Sequence, residues 1–571
     1  MVFARQGAAI LMPQTVDVIQ LQRLMRSDAL LALIDVREWG EFSLGQILGA
    51  RNIARGSLEK YLPFVVPDLS ITLVLMCDDG RRSVLAVQTA RQLGYSQVTV
   101  LAGGLEEWKR AGGETYGGWS LTGKDYGERL LVEEKIPELT ASELHEMLHR
   151  GEWVTILDSR PYSEFKASHL PGAHSAPIGD VTLLATDFAS DPARPIVTNC
   201  AGRTRSIIAA HLLLRMKLRN PVYALKGGTG AWRIAGWGDE LASGGDQSRA
   251  QASPSSLAAS ESFAMRLREE ERIGLIAPDA LREQLASDEL VYILDVRSGE
   301  EFVAGHISGA RFCSATQVQF AADALVGVPN AQVVITSGDD ARATVAASIL
   351  KGMGYPKVDV LDGGYPGWVV RGFGTESGTP FEIDYGEPMW LARFLQDFPS
   401  GLGKLRSLPV SGIEQLRERV SFISAEALQE TMAAKPPVLV DLRGAGEFAS
   451  AHLPGARWLS RGWLELRIAG VARKHSLVVL YSRDETRAVL SAATLADLGY
   501  RDVAVLQGGF NNWKRSGLPI EEGLGAQPEI EEIAVAEIGL FGVGKFGYSD
   551  ERMARYLKDE EALGRRYHRN S

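Results

Sequence analysis

The chain has 571 residues, 45% of them hydrophobic and 23% charged, with a formal net charge of −10. Such a composition belongs to an ordinary globular protein of roughly three to five domains. The acidic balance argues against a nucleic-acid binder, which carries a basic stripe, and no apolar run approaches the roughly 18 residues of a membrane span.

The opening stretch, MVFARQGAAILMPQTVDV, is too short in its apolar part to read as a signal peptide. The three cysteines, Cys77, Cys200 and Cys313, make no disulfide framework. So few thiols point to a reducing, cytoplasmic compartment. No CxxC and no His/Cys spacing for zinc is present, so neither a metal site nor a cofactor is expected.

In chain order, the first unit runs from a short helix into the apolar strand that ends at Asp35. The stretch DVREWGEF follows, then GQILGA, a second buried strand TLVLM, and a loop opened by Cys77. An amphipathic helix, a third strand VTVL, a Gly-Gly turn and a last helix bearing Trp108 complete it. The pattern then recurs: DSRPYSEF from Asp158, DVRSGEEF from Asp295 and DLRGAGEF from Asp441. The Asp lies 42 residues before Cys77, Cys200 and Ser337, and 41 before Ser482. The repeated Trp (Trp108, Trp232, Trp368, Trp513) follows the second Gly of each Gly-Gly pair by four residues. Short Val/Ile/Leu runs without alternation are buried parallel strands. Alternating with helices, they predict an α/β fold of four tandem domains, each a parallel sheet flanked by helices.

The expected division is 15–114, 136–239, 273–376 and 421–523 for the four copies. The Ser/Ala/Gly-rich stretch 240–272 reads as a flexible linker, 377–420 as a second linker, and 524–571 as a charged helical tail. KDYGER after copy one and IDYGEP after copy three suggest that a two-domain unit was itself duplicated.

Ligands of parallel sheets bind beyond the carboxyl ends of the strands, where the Cys- and Ser-opened loops fall. Copy one reads CDDGRRS from Cys77 and copy two CAGRTRS from Cys200. A short turn folded around its own cysteine, at the start of a helix, points N–H groups inward and favours a sulfur anion. Arg82 and Arg205, five residues after each Cys, are donors suited to an oxyanion.

These features together resemble the rhodanese family: the D-x-R-x3-E-F stretch, the Gly-Ala, the Cys-x4-Arg loop and the Gly-Gly…Trp ending. The resemblance covers about 400 residues. It implies that a loop cysteine takes sulfane sulfur from a donor such as thiosulfate, holds it as a persulfide and passes it to a thiophilic acceptor. Carried over, Cys77 and Cys200 are the catalytic nucleophiles. Asp78, Asp79, Gly80, Arg81 and Arg82 line the first substrate pocket, and Ala201, Gly202, Arg203, Thr204 and Arg205 the second. The partners implied are a small-molecule donor and acceptor, with a protein persulfide partner left open, and neither nucleic acid nor membrane.

Copies three and four depart from this pattern. Ser337 and Ser482 replace the nucleophile, and serine holds no persulfide, so both copies are expected to be inactive. Copy one has Gln46 where the others have His169, His306 and His452, a position read as structural. Cys313 reads as a core residue. The DxR pairs read as ion pairs fixing strand to loop, the Trp as core, and the Gly-Gly pairs as turns of positive φ. Formal charges differ between the live loops: Asp78 and Asp79 offset Arg81 and Arg82, whereas Arg203 and Arg205 have no acid within their loop. On that count Cys200 is the better site for an anionic donor.

Two other functions compete. A phosphatase or arsenate reductase needs a Cys-x5-Arg cradle, one residue longer than either loop here. A sulfur relay or scaffold would keep the persulfides and use copies three and four to dock a partner.

Overall fold

The computed structural model describes residues 13–244, 251–379, 381–382, 406–407, 409–483, 485–538 and 549–568. Each copy folds around one five-stranded sheet, and all four sheets have the same order. In copy one Gln14–Val16, Val98–Leu101, Thr72–Met76, Leu31–Asp35 and Arg51–Asn52 lie side by side, all parallel. The central strands are buried along nearly their whole length. That explains their unbroken apolar sequence, since helices cover both faces of such a sheet.

The repeated residues hold each copy together. The four aspartates of the DxR motif are fully buried, and each pairs with its own arginine two positions on, as Asp35 with Arg37 at 2.7 Å. The same guanidinium donates to the carbonyl of Gly45 at 2.7 Å, tying the strand end to the loop. Gln46 donates its N–H to Tyr116 O at 3.0 Å, and His169 and His452 make the same bridge to Ala242 and Glu521. The backbone does this work, so the side-chain change at Gln46 leaves it intact. The four tryptophans are buried.

The copies are gathered into two compact units. Unit one holds copies one and four, and unit two holds copies two and three with the tail helix Asp550–His568. The spatial pairing is therefore nested along the chain, copy one with copy four and copy two with copy three. KDYGER itself lies in the helix Leu121–Glu133 of unit two, and IDYGEP lies outside the described residues.

In unit one the two copies meet through the same loop of each. Arg55 pairs with Glu465 at 2.6 Å, and Arg461 pairs with Glu59 at 2.6 Å. Arg461 also donates to Gly56 O at 3.0 Å. A contact in which residue i of one domain meets residue j of the other and j meets i is isologous.

One expected linker is not a linker throughout. Residues Pro254–Glu271 form a helix, started by Ser253 accepting from Ser256 N. Ser256, Ser260, Phe263, Ala264 and Leu267 are buried on one face, and Ser260 Oγ lies 3.2 Å from Thr182 Oγ1. Small Ser and Ala side chains at helical spacing allow close packing, which composition alone misread as flexibility. Of the second expected linker, the helix Ile413–Arg417 buries Leu416 in the core of copy four.

Candidate active site

In copy one the strand Thr72–Met76 delivers Cys77 to the carboxyl edge of the sheet. The chain turns through Asp78–Gly80 into the helix Arg81–Gln92. Gly80 takes φ +93°, a conformation that any side chain disfavours. Its N–H thereby donates to Cys77 Sγ at 3.2 Å. Ser83, in the first helical turn, places Oγ 3.6 Å from the same sulfur while donating to Gly80 O. The sulfur sits at the amino end of a helix, against an amide hydrogen and the positive end of the dipole.

Cys200 occupies the same place between the strand Ile196–Asn199 and the helix Thr204–Arg215. Ser206 Oγ is 3.5 Å from its sulfur and donates to Arg203 O at 2.8 Å. Both cysteines are buried, 1% and 2% exposed. The Gly-Gly turn belongs to the same construction. Gly104 (φ +60°) and Gly228 (φ +52°) lie so close that a Cβ would come within 2.3 Å of Cys77 O and 2.1 Å of Cys200 O. The following residues, Leu105 and Thr229, donate their N–H groups to those carbonyls at 2.8 and 2.9 Å.

The arginines differ from the sequence expectation. Arg82 is bound by Glu41 at 2.6 and 2.9 Å and by Asp78 at 2.5 Å. Arg205 is bound by both oxygens of Glu164, at 3.0 and 3.1 Å. Glu41 and Glu164 are the acid of the D-x-R-x3-E-F repeat, so this motif and the Cys-x4-Arg loop are two ends of one clamp. Arg203 is bound by Glu128 at 2.6 Å, with Glu138 at 3.4 Å and Glu561 at 3.6 Å. Two arginines thus meet at least two carboxylates from outside the loop, and the expected positive excess at Cys200 is neutralised. The count within the loop missed it because every partner lies 41 or more residues away. Arg81, paired with Asp79 at 2.5 Å, is the most exposed of the four arginines.

Copies three and four reach the Cys77 and Cys200 loops. Ser337 and Ser482 stand buried where the cysteines would be. In unit one, Trp463 of copy four carries the guanidiniums of Arg82 and Arg467 at 3.9 and 3.7 Å from its ring centre. Burial, and then the neighbouring Arg82 and Arg81, lower the Arg467 pKa against the pull of Glu41. In unit two, Phe320 of copy three lies 5.4 Å from the Arg205 guanidinium.

The second loop has a further cover that the sequence did not announce. A Cβ on Gly202 would meet Glu560 at 2.9 Å and the Tyr556 ring at 3.0 Å, so the tail helix lies directly on the loop. Thr204 Oγ1 donates to Glu560 at 3.5 Å, and Tyr556 donates to the same oxygen at 2.7 Å. Lys124, from the helix Leu121–Glu133, is 3.6 Å from Glu560 and 4.3 Å from the centres of the Trp119 and Tyr556 rings. Burial pushes the Glu128 carboxyl up to about 7, against the pull of Arg203.

The structure therefore brings Cys77 together with Asp78, Asp79, Gly80, Arg81 and Arg82, and Cys200 with Ala201, Gly202, Arg203, Thr204 and Arg205. It adds Ser83, Ser206, Glu41, Glu164, Trp463, Phe320 and Glu560. Only the two serines and the repeated Glu had a sequence signal, their fixed offset from the Cys and from the Asp. Cys313 is fully buried after the strand Arg311–Phe312, and burial pushes its thiol pKa up.

The fold and loops define a class: tandem α/β domains that set a cysteine at the end of a central parallel strand. The Rhodanese-like domain family matches residues 17–111, 140–235, 277–371 and 424–516, and the chain belongs to that family. It is similar to a crystal structure of a thiosulfate sulfurtransferase from Pseudomonas aeruginosa, at 27% identity and TM-score 0.78, over 97% of this chain and 98% of that one. A sulfurtransferase of Allochromatium vinosum is 34% identical over 102 residues, 18% of this chain and 94% of its own length. The thiosulfate sulfurtransferase GlpE of Actinobacillus succinogenes is 31% identical over 107 residues, 19% of this chain and 95% of its own. Among the described residues no helix is long and apolar enough to cross a membrane.

Proposed function

We propose that the chain is a sulfurtransferase that carries sulfane sulfur from a donor such as thiosulfate to a thiophilic acceptor through persulfides on Cys77 and Cys200. The observation that carries this reading is the pair of thiols at helix amino ends, with the Gly80 N–H 3.2 Å from Cys77 Sγ and the Ser206 hydroxyl 3.5 Å from Cys200 Sγ. Sulfurtransferases among its relatives support it.

In the first half-reaction the cysteine thiolate attacks the outer sulfur of thiosulfate. A new S–S bond forms, the donor's own S–S bond breaks, and sulfite leaves with the electron pair. In the second, the acceptor attacks the outer persulfide sulfur and the thiolate departs. The persulfide terminus is an anion, and at each site it forms at the amino end of the helix that faced the thiolate. Copies three and four supply walls to these sites, Trp463 and Arg467 in one unit and Phe320 in the other, rather than chemistry.

Intact-mass measurement after incubation with thiosulfate tests the proposal. The wild type should gain one sulfur on each of two cysteines, Cys77→Ser and Cys200→Ser one apiece, and the double variant none. A double variant that still gains sulfur, or a wild type that gains none from thiosulfate or a persulfide donor, overturns it.

A further inference from the structure

Copy two carries a cluster that the sulfur chemistry does not use. His145 and His149 lie one turn apart on the helix Ala141–His149, which begins at a capping box between Thr140 and Glu143. Glu240 comes from the short turn Gly238–Glu240 at the far end of the same copy. Nε2 of His145 is 3.0 Å from Nε2 of His149 and 3.2 Å from Oε1 of Glu240. One donor atom from each of the three lies within 4.8 Å of the others. The His145 ring is held in place: it stacks on Trp237 at 3.8 Å and 5°, and packs against Trp232 at 5.4 Å.

Hydrogen bonding alone serves this arrangement poorly. Each imidazole nitrogen offers either a hydrogen or a lone pair. If His149 donates to His145, the lone pairs of His145 and Glu240 face each other at 3.2 Å. If His145 donates, its one hydrogen must be shared between His149 and Glu240. A divalent cation takes all three lone pairs at once. Tetrahedral ligation at about 2.0–2.2 Å from N and O donors sets the donors roughly 3.3–3.5 Å apart, close to the spacing already present.

The partners of the cluster are particular to copy two. Counted from the helix cap, the same two positions are Gln22 and Arg26 in copy one, Arg282 and Ala286 in copy three, and Gln429 and Ala433 in copy four. The two histidines lie in the stretch HEMLH, an i, i+4 spacing that suits zinc and that the expectation of no metal site passed over; the third ligand lies 95 residues from His145, so only the fold supplies it.

We propose that His145, His149 and Glu240 form a binding site for one divalent transition-metal ion of the zinc class. Two imidazoles and one carboxylate suit such a borderline cation, whereas calcium and magnesium require more oxygen ligands. His149 and Glu240 are exposed, so solvent can complete the coordination. A bound ion would tie the first helix of copy two to its last turn and so stabilise the folded state by an amount that rises with the logarithm of the free ion concentration once that exceeds Kd.

The test uses the tag-free full chain in a Cys77→Ser/Cys200→Ser background, stripped with a chelator and titrated with zinc against a chromophoric indicator at pH 7.5. One equivalent should bind, and zinc should raise the unfolding midpoint. His149→Gln and Glu240→Gln should each weaken binding by about tenfold or more and together abolish the midpoint shift. Both side chains are exposed, so both variants should keep the wild-type circular dichroism. Zinc bound equally by the double variant, or not bound by the parent chain, would leave a shared-proton cluster only and overturn the site.

Discussion

Replacing Glu164 by Gln removes what is, among the described residues, the only carboxylate in hydrogen-bond contact with the Arg205 guanidinium, which it meets at 3.0 and 3.1 Å. Both side chains are largely shielded, 7% and 16% exposed. At an effective dielectric of about 20, unit charges about 3 Å apart attract by roughly 5 kcal/mol. Breaking a buried pair on one side costs about 3–5 kcal/mol. Gln retains one acceptor oxygen, which places Glu164→Gln near the lower bound, about 3 kcal/mol. At about 2 °C per kcal/mol for a large domain, unit two should lose roughly 6 °C in its unfolding midpoint, followed by circular dichroism. Glu41→Gln provides the internal comparison. Arg82 keeps Asp78 at 2.5 Å, so its loss should be half as large or less. Glu164→Gln without effect, or Glu41→Gln as damaging, would show that the clamp does not hold these loops.

Three further outcomes follow from the geometry. Gly228→Ala, with its Cβ aimed at Cys200 O and φ at +52°, should abolish persulfide formation at Cys200 while leaving Cys77 loaded, as read by peptide mass. Deleting residues 549–571 strips the tail helix from Gly202 and Gly230; Cys200 should then alkylate faster than in the full chain, with Cys77 unchanged, and an unaltered Cys200 rate would refute the covering role. Glu128 holds its proton up to about 7 in the folded chain, against an ordinary 4.5. The folded state therefore binds more protons than the unfolded one between those values, and stability falls as pH rises through them. Relative to Glu128→Gln, the wild type should lose midpoint between pH 5 and pH 8; a difference that does not change with pH would contradict this.

The repeat made much of the architecture legible. Apolar runs of four or five residues, each closing on Asp and then Arg, specify buried parallel strands because only those strands tolerate unbroken Val, Ile and Leu. Cys77 and Cys200 stood out because a fixed offset of 42 residues tied them to that landmark. The repeated Glu and Gly-Gly were visible as well, though not their targets: Glu164 reaches Arg205, and Gly228 reaches Cys200 O, only once the loops are stacked.

What depends on residues near in sequence, namely strand and helix period, caps, turns and the cysteine-bearing loop, was determined by the chain as written. What depends on distant groups meeting was decided by tertiary structure alone. The charge around Cys200 changed when Glu128, Glu164 and Glu561 arrived, because a carboxylate a few ångströms away outweighs anything the loop's own residues express. The pairing of copy one with copy four, the tail helix over Gly202, and the meeting of His145 and His149 with Glu240 have the same origin. Side-chain electrostatics and packing act over ångströms in space, and sequence separation carries no information about that distance.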